Sequence, residues 1–424
     1  MNSLRYTKWS SLVNTIPYKY STTVDLEYLD NLAINLHLTE QDLRNLLVVA
    51  RDLHQWNEVP LSQVPLKEPD TGIIGKARKS FILKQIYKHY NQLREKGQKY
   101  LHFIPERDFK AEQVHVITED TTNRKLLGNC PVASTKTRCC NLHTLDVVQR
   151  CGFDCTYCSI QSFYTNGEVI FDSKLGERLK KLNLEPEKKY HIGTGQSSDS
   201  LMWGNKNGIL DDLLEFAEQH ENVILEMKTK SDRMAHLLTR PVQKNVLLTW
   251  SLNPQSIIDG EEHFTASLKD RIEAARKAAD HGYKVGFHFH PMIPIEDWKE
   301  EYGQVMEQLQ HLFSPEEVVT ISFGTLTFIK PVLKMIRSRN ITTKILQMPL
   351  EEAAGKYSYS LDVKEELFSF AFNQFSRWHS QVFFYLCMED PDLWQKCLKR
   401  AYADNDAFEK DMIDSYFTKM YRKK

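Results

Sequence analysis

Six short apolar runs, interleaved with helical stretches between residues 142 and 325, constrain the fold of this chain more than any other feature. The runs are "LHTLDVVQ", "KYHIGTG", "NVILEMKT", "NVLLTWSL", "YKVGFHFHPM" and "EVVTISFGT". Between them lie "GILDDLLEFAEQH", "SDRMAHLLTR", "LKDRIEAARKAADHG" and "WKEEYGQVMEQLQHLF", all with helical spacing of apolar residues. Repeated strand–helix units imply an α/β fold with a parallel sheet and right-handed crossovers. Six units are two short of a closed eight-fold barrel. In such sheets the functional groups gather at the carboxyl ends of the strands.

The flanks differ in texture. Residues 1–140 read as a mostly helical region with one strand, 141–345 as the strand–helix repeat, and 346–424 as a helical region. In the first, "LTEQDLRNLLVVARDLHQW" opens on a Thr followed by acids and continues with helical periodicity. The stretch "GKARKSFILKQIYKHYNQLREKGQKY" reads as a basic amphipathic helix over 76–99, with Ile82, Ile86, Tyr90 and Leu93 on one face. Its remaining surface is crowded with Lys76, Arg78, Lys79, Lys84, Lys88, Arg94, Lys96 and Lys99, a face suited to nucleic-acid phosphates or simply to water. In the last region "KEELFSFAFNQFSRWHSQVFFYLCM" and "PDLWQKCLKRAYA" read as helices followed by a short tail, with Cys387 in an apolar helical setting.

The formal net charge is −1, so no global field draws the chain to nucleic acid or anionic lipid, and such binding must come from a local patch. No run approaches the roughly 20 apolar residues of a membrane span, and the N-terminus lacks a signal-peptide core. A cytoplasmic location, away from membranes, is the expectation. There thiols stay reduced, and the eight cysteines read as ligands, nucleophiles or core residues.

Three of them stand within eight residues, in "CGFDCTYC" just after the first strand of the repeat. Cys151, Cys155 and Cys158 can converge on one centre. A structural zinc site wants four ligands, which here would require Cys139, Cys140 or His143. A [4Fe–4S] cluster held by three cysteines instead leaves one iron open.

The C-x3-C-x2-C spacing, with aromatic Tyr157 before the last Cys, resembles the cluster loop of the radical S-adenosylmethionine (SAM) superfamily. That resemblance implies a partial (β/α)6 barrel, a [4Fe–4S] cluster on Cys151, Cys155 and Cys158, and SAM chelated at the open iron. Reductive cleavage of SAM to a 5′-deoxyadenosyl radical is then the chemistry. "GTGQSSDS", "TKS", "SLNP", "RIEAARKAADHGYKVGFHFHPMIP" and "GKYSYS" narrow the likeness to the spore photoproduct lyase family over roughly 140–390. By position, Ser198, Lys230 and Ser251 match that family's SAM-carboxylate contacts, and Tyr157 its aromatic beside the cofactor. Gly193, Gly195, Gln196 and Asp199 fall in the Gly-rich turn that meets the SAM amino group. The family repairs 5-thyminyl-5,6-dihydrothymine in DNA, breaking a carbon–carbon bond. A reductant such as flavodoxin or ferredoxin is implied as partner, and DNA as substrate, with helix 76–99 as its docking face.

The chain departs from the family where a cysteine returns a hydrogen atom to the product. Here Gln196 or Ser197 stands before the "SD" pair, and an O–H bond is too strong for that role. The residue after the third cluster Cys, usually tyrosine, is Ser159. Cys140, Tyr157 and Tyr357 are the alternative catalytic candidates. A different radical SAM substrate (protein, RNA or metabolite) or a nucleic-acid-binding protein with a structural or sensory cluster are the competing functions. Cys130, Cys139 and Cys140 could bind a second cluster or simply pack. His288 and His290 alternate along one strand and so point the same way.

Overall fold

The structure is a computed structural model, and it describes residues 5–70, 72–95, 97–101, 103–106, 115–130, 137–163, 168–195, 197–353 and 356–422. It divides into two compact units. The first comprises 1–110, 294–296 and 327–358, and the second 111–293, 297–326 and 359–424.

The second unit is built on one large sheet. Its strands are β1 (Leu127–Asn129), β2 (His143–Leu145), β3 (Tyr190–Gly193), β4 (Val223–Thr229), β5 (Val246–Ser251), β6 (Lys284–Met292), β7 (Val318–Thr325) and β8 (Phe383–Leu386). They lie side by side in chain order. From β2 to β8 every pairing is parallel, and β1 joins β2 antiparallel. Strands β4, β5 and β7 are almost continuous runs of buried residues, as expected of strands covered on both faces.

All six anticipated strands are present, and the fold is the expected α/β half-barrel. A seventh parallel strand, β8, stands where a helix was anticipated. The helix begun at Leu361 stops at Gln374, and "FFYL" pairs with β7. Consecutive aromatics fit a pleated, buried surface better than a helix whose neighbours crowd χ1. Cys387 consequently follows a strand end rather than sitting in a helix, and its N–H bonds Phe323 O at 2.8 Å.

Helices Ile209–Gln219, Leu268–His281 and Trp298–Leu312 cross between strands as anticipated. "SDRMAHLLTR" yields only a short 3₁₀ turn, Leu237–Thr239, so the β4–β5 connection carries no α-helix. The C-terminal segment is not a tail: Asn405–Met420 is a helix capped by Asp404, whose carboxylate accepts from Ala407 N. Its Phe408 and Tyr416 are fully buried, and Phe408 and Tyr416 rings contact Phe383 of β8.

In the first unit, helix Glu40–Gln55 starts with a capping box between Thr39 and Asp42. The basic helix runs Gly75–Glu95 and ends four residues before the anticipated boundary. Ile82 and Ile86 are its buried residues. The unit is tied together by Asp52, which is fully buried. Arg337 donates to both its oxygens, at 2.7 and 2.8 Å, and Tyr90 OH donates at 2.7 Å. The Arg337 guanidinium is held more firmly protonated by that carboxylate, despite burial. Removing one partner of such a pair leaves an uncompensated charge. Asp52→Ala is therefore expected to destabilise the first unit by about 3–5 kcal/mol; an unchanged chemical-unfolding midpoint would refute this.

Candidate active site

The loop after β2 carries the three clustered cysteines. Cys155 lies in a two-residue strand, Asp154–Cys155, paired antiparallel with Glu262–His263. Cys158 N bonds Cys155 O at 3.2 Å, which closes the turn around Tyr157. Thr156 N bonds Glu261 O at 2.9 Å. Met202 backs the first thiol: its sulfur accepts from Gly152 N at 3.2 Å and lies 3.7 Å from Cys151 Sγ.

All three cysteines line one cavity of about 280 Å³ at the carboxyl ends of the strands. Tyr157, Gly195, Ser198, Asp199, Lys230 and Ser251 line it too, so most of the expected cofactor residues meet there. Gly193 is buried at the end of β3, outside that lining. Gln196 lies outside the described residues.

The surroundings explain how each group is held. Asp199 is a clamp: one carboxylate oxygen accepts from Leu201 N, Met202 N and Thr229 Oγ1, and the other from Lys230 N at 2.6 Å. Ser198 Oγ accepts from Trp203 Nε1 at 3.1 Å. Gly195 must lack a side chain, because a Cβ there would meet Lys228 O at 2.8 Å and Ser200 Oγ at 3.1 Å. This leaves a cradle against the strand ends.

Glu262, which the sequence reading overlooked, organises the cluster wall. It is fully buried and pairs with Lys230 at 2.9 Å and Arg271 at 2.7 Å. Asn253 donates to it at 2.7 Å, and the Tyr157 hydroxyl donates a short bond. Lys230 Nζ also donates to Tyr157 OH and stands 3.8 Å from Cys155 Sγ. Despite burial, these cations hold the Glu262 carboxyl far below its usual range. Burial pushes the Cys151 thiol well up and Cys155 up to about 12. Thiolates here thus need positive charge, which iron supplies. Among the described residues no three His, Cys, Asp or Glu side chains converge on a point that would hold a single metal ion. Three thiols spread around a cavity fit a polynuclear cluster with an open corner.

Neither Cys140 nor Tyr357 is among the residues lining the cavity. Cys140 is hydrogen-bonded with Cys139, which raises its thiol pKa, and it is absent from the cavity lining. The same bond pulls Cys139 down to about 7. Tyr357 belongs to the first unit, where its OH donates to Glu352 at 2.6 Å.

Beneath the cavity, inward side chains of neighbouring strands form a polar layer. Glu226 on β4 accepts from His191 Nε2, His288 Nε2 and Thr249 Oγ1, each at 2.7 Å. His288 Nδ1 meets Ser322 Oγ at 2.5 Å, and Ser322 Oγ meets His290 Nε2 at 3.0 Å. His290 Nδ1 faces Lys228 Nζ at 3.5 Å, and both line the cavity. The two histidines do point the same way, one into the cavity and one below it.

A family model described as spore photoproduct lyase matches residues 143–366. The chain belongs to the spore photoproduct lyase family. With that family it is a radical SAM enzyme, the class that works with a [4Fe–4S] cluster and SAM. Spore photoproduct lyase of Clostridium acetobutylicum is 25% identical over 262 residues, 57% of this chain and 75% of that one. The Bacillus subtilis protein is 27% identical over 237 residues, 51% of this chain and 68% of its own. A solved spore photoproduct lyase complexed with dinucleoside spore photoproduct superposes with a TM-score of 0.54 at 19% identity, covering 64% of this chain and 81% of that one. A variant with bound AdoMet and the same ligand gives 0.53, also at 19%. These two likenesses establish the shared fold.

His288 supplies a pH signature for this site. Burial first, then the Lys228 charge, lowers its pKa from the usual 6.5 to about 4, so it is neutral in the fold. Between those values the unfolded chain takes up a proton that the folded chain refuses. Stability should therefore fall as pH drops from 6.5 to 4, with about 3 kcal/mol from this group. Urea midpoints across that range test it, and His288→Gln should flatten the slope.

Proposed function

We propose that this chain is a radical SAM lyase acting on a thymine photolesion in DNA, with Cys151, Cys155 and Cys158 holding the cluster. The observation that carries the reading is the meeting of those three thiols with Gly195, Ser198, Lys230 and Ser251 in one cavity. When bound, the cluster and SAM supply one-electron cleavage of the sulfonium bond and a hydrogen-abstracting 5′-deoxyadenosyl radical. The chain's own residues do the rest. Lys230 and the two serines offer charge-assisted and hydroxyl bonds to the SAM carboxylate. Glu262 and Arg271 keep Lys230 in place, and Asp199 fixes the turn beside it.

Hydrogen return distinguishes this chain from its relatives. Ser197 cannot replace a thiol, and its hydroxyl is engaged by Asp146 and by Val148 O at 2.9 Å. Radical modification of another substrate is therefore the second reading. A small one-electron carrier of the flavodoxin or ferredoxin kind fits as reductant.

Anaerobically reconstituted protein, dithionite, SAM and lesion-bearing DNA should yield 5′-deoxyadenosine and restored thymine together, counted by mass spectrometry. Radical cleavage without thymine would move the substrate elsewhere. Replacing Cys151, Cys155 and Cys158 by Ala should abolish both products while the circular-dichroism spectrum persists.

For DNA contact, helix Gly75–Glu95 offers exposed Lys76, Lys84 and Lys88, whereas Lys79 is paired with Asp42 at 3.0 Å and Arg78 with Glu68. Reversing Lys84 and Lys88 to Glu should weaken binding and lower the salt slope by about 2. An unchanged slope removes the helix as a docking face.

A further inference from the structure

The polar layer below the cavity has a direction. A carboxylate only accepts, so both histidines on Glu226 carry their proton on Nε2. That leaves His288 Nδ1 as an acceptor for the Ser322 hydroxyl. Ser322 Oγ in turn accepts from His290 Nε2–H. His290 Nδ1 is then an acceptor, and the Lys228 ammonium donates to it. The whole chain of donors runs from Lys228 at the cavity wall to Glu226 in the interior, with every tautomer set by the carboxylate. His191, Glu226, Thr249, His288 and Ser322 are all nearly inaccessible to solvent.

The arrangement orients Lys228 without neutralising it. Among the described residues its one hydrogen-bond partner is a neutral ring nitrogen, and its countercharge lies three groups further on. An ammonium has three N–H donors, so two are left to face whatever occupies the cavity. Lys230 differs: its charge is matched directly by Glu262, beside Cys155. The two lysines also serve different walls. Lys230, just past the end of β4, reaches to Tyr157 and Cys155 of the cluster loop, whereas Lys228 reaches to His290 on β6, past β5. Room for that ring comes from Gly324 on β7, where a Cβ would lie 3.1 Å from the imidazole.

We infer that Lys228 is a specificity-determining residue that engages an anionic oxygen of the substrate, the phosphodiester joining the two nucleotides of the lesion, and that His290 is its positioning residue. The inference rests on the lesion reading above. An anionic oxygen in this cavity has two sources, the substrate phosphodiester and the SAM carboxylate. The cluster-side placement of Lys230 assigns the carboxylate to that lysine and leaves the phosphodiester to Lys228.

The test compares two lesion probes, the dinucleoside photoproduct without phosphate and the dinucleotide with it. Their dissociation constants are measured on cluster-reconstituted, SAM-loaded full-length protein. Wild type should bind the dinucleotide about ten-fold more tightly. Lys228→Met should remove that preference while leaving dinucleoside affinity in place, and Lys228→Arg should restore it. His290→Ala should give part of the loss. Equal wild-type affinity for both probes, or an equal loss for both in Lys228→Met, overturns the inference while the lesion reading stands. Loss of SAM affinity in Lys228→Met, instead of the phosphate preference, overturns it in favour of the cofactor carboxylate. Binding of neither probe by wild type overturns the lesion reading, and the inference falls with it.

Discussion

The candidate site depends on one buried carboxylate. Glu262 has no access to water, yet it is held ionised by Lys230 and Arg271 and by hydrogen bonds from Tyr157 and Asn253. A lone buried carboxylate would be costly, and a pair of cations around it changes the sign of the problem. The consequence is spatial. Glu262 pairs through its backbone with Cys155 and through its side chain with Tyr157, so the Cys155–Cys158 part of the cluster loop is referenced to one residue. Arg271 extends the reference to β5, because its guanidinium also donates to Ser251 O at 2.9 Å. The loop's position relative to the strand ends is thus set by charge pairing, which tolerates little displacement in a low-dielectric interior.

The same economy recurs one layer down. Glu226 accepts from two imidazoles and a hydroxyl, and the Lys228 cation sits several bonds away at the cavity surface. The two carboxylates differ in what they leave exposed. Glu262 pairs with Lys230 directly and shares its charge with Arg271, whereas Glu226 leaves Lys228 without a direct carboxylate partner among the described residues. A half-barrel with alternate residues facing inward supports both layers, since positions two apart on β4 supply Glu226 and Lys228, and on β6 supply His288 and His290.

Much of this was legible in the sequence. The six strands could be read because β4 to β7 are buried on both faces and therefore mostly apolar along their length. The cysteine loop could be read because its spacing is dense and local. Strand β8 could not, since "FFYL" follows a helical segment without a Gly or Pro to mark the change. The helix Asn405–Met420 was missed because its polar composition hides the buried Phe408, Met412 and Tyr416. Among site residues, Ser198, Lys230 and Ser251 were found through the family likeness. Glu262 was not, because "EEHF" carries no local sign that both acids are buried and that the second sits between two cations brought from elsewhere in the chain. The directed role of Lys228 likewise arises from five side chains on three strands, a relation no linear window contains.

The half-barrel does not close, so its sheet keeps two margins. Both are marked by very short strands, β1 with three residues and β8 with four. A margin that short presents few unpaired N–H and C=O groups for another chain to add to. An open barrel can thus keep its mouth wide enough for a bulky occupant while giving its own sheet little opportunity to propagate into an aggregate.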